Sequence, residues 1–200
     1  MPKINSPTLA EHQMAQRSTL VNAAIDSLAE DGAGSVTPAR IGQRAGLARS
    51  SVYGYFNSSA EILAVTVEEL MVRTTSVVAE AVAAQSSTRD RIHAFVRTMV
   101  MQSLSKEFRA LHALSRTDLP AMCLARLDQL LDDRNAPLKW ALNDSGVSDA
   151  DSLVDFVVAI AGAAAGRVAN GFDADRAIAQ AIEFVDHGVS ATSAGVDEER

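Results

Sequence analysis

The chain has 200 residues, 48% of them apolar and only 4% aromatic, and a formal net charge of −7. This length can bury a sizeable core as one large domain or two smaller ones, and an Ala-rich, aromatic-poor composition suits packed helices better than strands, so an all-α protein is expected. The acidity excludes a protein that coats nucleic acid through overall charge. The single Cys123 excludes an internal disulfide framework, which makes a reducing cytoplasm the expected setting.

Residues 1–8 hold one Lys and no apolar run, so they are not a signal peptide; like residues 191–200, they are expected to be disordered. Thr8-x-x-Glu11 is a capping-box pattern that opens a first helix running to Glu30 or Asp31, with Val21, Ala24, Ile25 and Leu28 on one face. Thr37 before Pro38 marks the start of a second, two-turn helix reaching Ala45, which Gly46 ends. A third short helix is expected from Arg49 or Ser50 to Tyr55 or Phe56, its Val52 and Phe56 spaced to reach the core. Asn57 to Ser59 then cap a long fourth helix, which reaches about Ala84 and joins head to body.

Further helices are predicted over 89–105, 107–116 and 120–133, the first with Ile92, Phe95, Val96, Met99 and Val100 at helical spacing. Pro137 predicts a kink or a restart before Trp140. Ser148-x-x-Asp151 opens the next helix, which reaches Asn170, and Asp173 opens the last, with Ile178, Ile182, Val185 and Val189 as its stripe. The apolar run Leu153–Ala169 is mostly Ala and Gly and carries Asp155 and Arg167, so it reads as a packing helix and no membrane partner is expected.

The charge is unevenly spread. Residues 1–60 hold five Lys or Arg against four acids, residues 61–200 hold 13 against 21, and no acid falls between Gly32 and Ala60. An acidic body with a locally basic head fits a DNA-binding regulator. Two short helices joined by a Gly-containing turn, the second carrying small polar and basic side chains, form the pattern of a helix-turn-helix, here residues 37–56.

Ser35-Val36-Thr37, Ile41 to Ala48, Val52-Tyr53-Gly54-Tyr55-Phe56 and a capped helix at Ser58 resemble the DNA-binding head of the TetR family of bacterial regulators, a likeness covering roughly the first 70 residues. It implies a head over 12–72 and a helical ligand-binding and dimerisation body over 73–190, about nine helices in all. It also implies that Thr37 caps the second helix and touches phosphate, that Arg49 reaches backbone or a base edge, that Ser50, Ser51 and Tyr53 face the major groove with Gly54, and that the Tyr55 hydroxyl binds phosphate; Arg40 and Arg44 are further candidates. Two departures remove contacts common in that family: Gly54, where it often has His or another side chain, and Ser59, where a Lys commonly opens the fourth helix.

The partners expected are double-stranded DNA, a second copy of the chain and a small, largely apolar effector. Ala161, Ala165, Ile178, Ile182 and Val185 are candidates for the homodimer interface, unless these small and apolar residues pack within one chain. Met71, His93, Met99, Phe108, His112, Met122 and Trp140 are candidates for the effector pocket, each also readable as ordinary core. His12, His93, His112 and His187 lie too far apart for a metal site, and with no phosphate loop and no nucleophile-base arrangement neither a cofactor nor an enzyme is expected. The rival reading is an adaptor or sensor that keeps the helix-turn-helix shape without DNA affinity, as the net acidity, Gly54 and Ser59 would allow.

Overall fold

Helix α1 (Leu9–Asp31) forms because Leu20, Ala24, Ile25 and Leu28 recur on one face, and all four are fully buried. In this computed structural model residues 9–115, 117, 119, 121–147 and 149–194 are described, and every regular element among them is helical. The expected cap at Thr8 lies outside the described residues. After α1 a single 3-10 turn, Ala33–Ser35, leads to α2 (Pro38–Arg44), α3 (Arg49–Val52), α4 (Ser59–Ala83), α5 (Thr88–Gln102), α6 (Lys106–His112), α7 (Ala121–Asp144), α8 (Ala150–Ala169) and α9 (Ala174–Ala194).

Two compact units divide the chain. The first is Met1–Leu70 with Ala110–Ala125, and the second is Met71–Arg109 with Arg126–Arg200, so residues 110–125 join the first unit although the sequence reading placed them in the body. In the first, α2 packs on α1 and α3, with Ile41, Val52 and Phe56 at most 1% exposed. In the second, α5 packs on α8 and α9, and α8 on α9. Its core joins Val78 of α4, Phe95 and Val96 of α5, Leu138 and Leu142 of α7, Val157 and Ala161 of α8, and Ile178 and Val185 of α9.

Several boundaries differ from expectation, each for a local reason. Helix α3 stops at Val52 instead of Tyr55 or Phe56, because Gly54 and Tyr55 donate to Ser51 and Val52 in tightened i to i+3 turns (3.1 and 3.0 Å). Helices α5 and α6 are shorter than expected at their C-terminal ends, stopping at Gln102 and His112. Pro137 does not restart a helix: α7 runs through it, and the buried Leu138, Ala141 and Leu142 that follow it anchor the helix to the core. The cap of α8 is Asp149, whose carboxylate accepts from the Ser152 amide at 3.0 Å; the expected cap, Ser148, lies outside the described residues. Helix α9 continues to Ala194, so 191–194 are helical, contrary to the expected disorder.

By length and apolar composition alone α8 matches a membrane-crossing helix. Its Leu153, Val157, Ala161 and Ala165 are nevertheless packed inside the second unit, as the packing-helix reading requires.

Candidate DNA-binding site

The start of α2 is set by Thr37, in extended backbone, whose side-chain oxygen accepts from the Arg40 amide at 3.4 Å while Pro38 occupies the first helical position without an amide to satisfy. Its hydroxyl proton has no acceptor among the described residues, so it can be given to a phosphate. Gly46 adopts φ 70°, the left-handed conformation that turns the chain from α2 toward α3. The turn is closed by the Leu47 amide donating to Gly42 at 2.8 Å.

Gly42 has a packing role that its place in the family-like run Ile41 to Ala48 does not reveal. It is buried, and a side chain there would begin 2.9 Å from the Leu47 carbonyl oxygen and 2.9 Å from a methyl of Val52. The close approach of α3 to α2 therefore depends on it. Nothing in the periodicity marks it, because a Gly in a short helix reads as a mild propensity loss until the crossing geometry is known.

With Val52 and Phe56 anchored inward, Arg49, Ser50, Ser51, Tyr53 and Gly54 are all exposed on the outer side of α3 and its final turn. The Arg49 guanidinium donates to the Tyr53 hydroxyl at 3.2 Å and lies 5.7 Å from the centre of its ring. That bond raises the already high pKa of Arg49, so a permanent cation and a phenol are presented together. Arg can fork onto guanine and hydroxyls suit bases or phosphates, so this face has the chemistry of groove recognition.

Three expected contacts are engaged elsewhere. Arg40 pairs with Asp31 and Arg44 with Glu30, so both cations lie against the acidic end of α1. The hydrogen bond to Glu30 is the largest reason the Arg44 pKa is raised. Tyr55 is half-buried and its hydroxyl donates to Gln16 of α1, tying the end of the motif to the first helix; only its lone pairs remain for a donor on another molecule. Arg17, which the sequence reading did not single out, lies 5.4 Å from the ring centre of Phe56. Beyond α3, Ser58 accepts from the Glu61 amide at 3.1 Å, and Glu61 accepts in return from the Asn57 amide at 2.7 Å. These bonds lower the Glu61 pKa, the Asn57 amide contributing most, so the cap at the start of α4 is charged.

The expected effector residues fall in both units, His112 and Met122 in the first and the other five in the second. Met71 is buried, Met99 is packed against the core, His93 lies 2.7 Å from Asp186, and Phe108 is half-buried, whereas His112 and Trp140 are exposed, Trp140 by 68%. The Met122 side chain lies outside the described residues. A cavity of about 600 Å³ sits elsewhere, lined by residues of α4 and α5 and the start of α6 and by none of these seven.

The expected interface residues Ala161, Ala165, Ile178 and Val185 are at most 2% exposed inside one chain, with Ile182 packed against the same core. Helical periodicity marks an apolar face without saying whether it is covered by the chain itself. Left outward are Phe156 (65% exposed) with Ala159 and Ala163 on α8, and Phe184 (71% exposed) with Gly188 on α9. Among the described residues no group of three or more His, Cys, Asp or Glu is placed to hold a metal.

Residues 20–66 match the sequence model of the bacterial regulatory proteins of the tetR family, a stretch that contains the whole motif. No functionally curated protein matches the chain. The fold is that of TetR-like regulators. It superposes on a TetR-like transcriptional regulator from Rhodococcus sp. RHA1 with a TM-score of 0.72 at 18% identity, covering 88% of this chain and 96% of that one. For a TetR family transcription regulator from Marinobacter aquaeolei VT8 the values are 0.71 and 14%, covering 88% and 97%. The transcriptional regulator FadR from Bacillus subtilis, solved in complex with stearoyl-CoA, gives 0.71 and 14%, covering 84% and 96%.

Proposed function

We propose that this chain, with its tetR-type head, is a cytoplasmic, ligand-responsive transcriptional regulator that represses by binding a palindromic operator as a homodimer. The observation that carries this reading is the outward face of α3: Arg49, Ser50, Ser51 and Tyr53 exposed together on a short helix held to α2 by Gly42, in a segment with no acid from Gly32 to Ala60. One such face binds weakly; two faces about 34 Å apart meet successive major grooves. Pairing uses the outward strips of α8 and α9, with Phe156 and Phe184 as anchors, since Ala161, Ala165, Ile178 and Val185 are buried within the chain. Helix α4 passes from the first unit into the second and is the covalent route by which an effector bound in the second unit biases the head. Ligand and operator then oppose each other reciprocally.

The test is selection of random duplex DNA by the purified chain at two salt concentrations, repeated with variants. A palindrome should emerge. Arg49→Ala and Tyr53→Ala should each weaken its binding by about 10- to 100-fold, the loss expected for a base contact, whereas Arg44→Ala, already paired with Glu30, should change it far less. If nothing is enriched even at low salt, the reading fails and the adaptor alternative, favoured by the pairing of Arg40 and Arg44 with acids, takes its place.

A further inference from the structure

We infer that the cavity between α4, α5 and the start of α6 binds a single-chain amphiphile with an anionic head group. The inference rests on the proposed effector response and narrows its chemistry. The cavity measures about 600 Å³, within the usual range for small-molecule sites. Helices α4 and α5 run antiparallel across it, joined by the Gln102 side-chain amide donating to the Thr74 carbonyl at 3.0 Å.

Each helix offers an arginine and, one turn on, an apolar side chain, Arg73 and Val77 on α4, Arg97 and Met101 on α5, so cations border an apolar floor. Val77 and Met101 are 48% and 46% exposed, large apolar side chains left open to solvent where an alkyl chain would cover them. Two arginines face the cavity against one acid, Glu107, in a chain whose net charge is −7. Arg97 makes no ion pair among the described residues. A carboxylate or phosphate head seated on Arg97 would receive charge-assisted hydrogen bonds while its chain lies along Val77 and Met101. A wholly apolar effector would draw nothing from Arg97.

The experiment is calorimetric titration of the full chain with decanoate, decyl phosphate and decan-1-ol, which share one chain and differ in head group. At least one anion should bind at one site per chain, and decanol at least about tenfold more weakly; the two anions tell a carboxylate head from a phosphate. Arg97→Gln should abolish the preference for the anion, and Met101→Asp should weaken the anion while leaving the helical signal intact, since both side chains lie at the surface. Decanol binding as tightly as the anions, a preference that survives Arg97→Gln, or no binding of any of the three would overturn the inference. Binding to the selected duplex is measured on the same preparations. Intact DNA binding without an amphiphile site would refute this inference alone, and an anion-selective site without DNA binding would refute the regulator reading alone.

Discussion

Gly42→Ala should loosen the packing of α3 on α2 and weaken DNA binding together. The added carbon would sit 2.9 Å from a backbone oxygen and 2.9 Å from a Val52 methyl, where ordinary contact begins at 3.4 Å. Replacing Gly by Ala within a helix stabilises by about 1 kcal/mol, and overpacking a tight site costs about 1–3 kcal/mol. Neither obstacle yields easily: one is backbone, and Val52 is fully buried and β-branched, with no spare rotamer. The cost should therefore come from the upper part of that range, leaving a net loss of about 1–2 kcal/mol. At roughly 2–4 °C per kcal/mol for a chain of this size, the unfolding midpoint falls by about 2–8 °C. The assay is thermal unfolding followed by circular dichroism, paired with fluorescence anisotropy on the selected duplex, where displacement of α3 should cost tenfold or more of affinity, about 1.4 kcal/mol. Gly54→Ala is the control: its added carbon meets only the Ser51 carbonyl oxygen, at 3.2 Å, so its midpoint should move by less than about 2 °C. An unchanged midpoint and unchanged affinity for Gly42→Ala would refute the claim that this close approach positions the recognition face.

Phe184→Asp should convert the proposed dimer to monomer in sedimentation velocity without loss of helical content, because Phe184 is 71% exposed, whereas Ile178→Asp at 2% exposure should unfold the chain; a dimer that persists in Phe184→Asp would place the interface elsewhere. Asp186 is pushed up by partial burial, but hydrogen bonds from Arg89 and His93 outweigh this and hold its carboxyl below the ordinary range. A lowered folded-state pKa contributes stability that is present above the unfolded-state value and is lost as pH falls through the folded one. Asp186→Asn should therefore lower the midpoint at neutral pH, and the gap from the parent should close as the pH drops below the ordinary carboxylate range. A gap independent of pH would rule out the ion-paired carboxylate as its source.

Much of the head is local in origin, and local signals were enough to read it. Thr37 and Pro38 start α2 by satisfying or removing amides, Gly46 turns the chain, and Val52 and Phe56 are spaced to anchor α3, all within about 20 consecutive residues. The amphipathic stripes of α1, α5 and α9 were legible for the same reason, since burial on one face imposes a 3.6-residue period. What sequence alone could not decide is what covers a stripe. Ala161, Ala165, Ile178 and Val185 have the spacing of an interface and are the chain's own core, while Phe156 and Phe184 are left outward. The tertiary structure likewise decided that Arg40 and Arg44 meet Asp31 and Glu30, that Gly42 lies close against the Leu47 carbonyl and Val52, and that Arg73 and Arg97 border one cavity. Each depends on residues distant in sequence or on the crossing of two helices. Composition and periodicity determine which side of a helix seeks cover, and only the packing of one helix on another determines which side finds it.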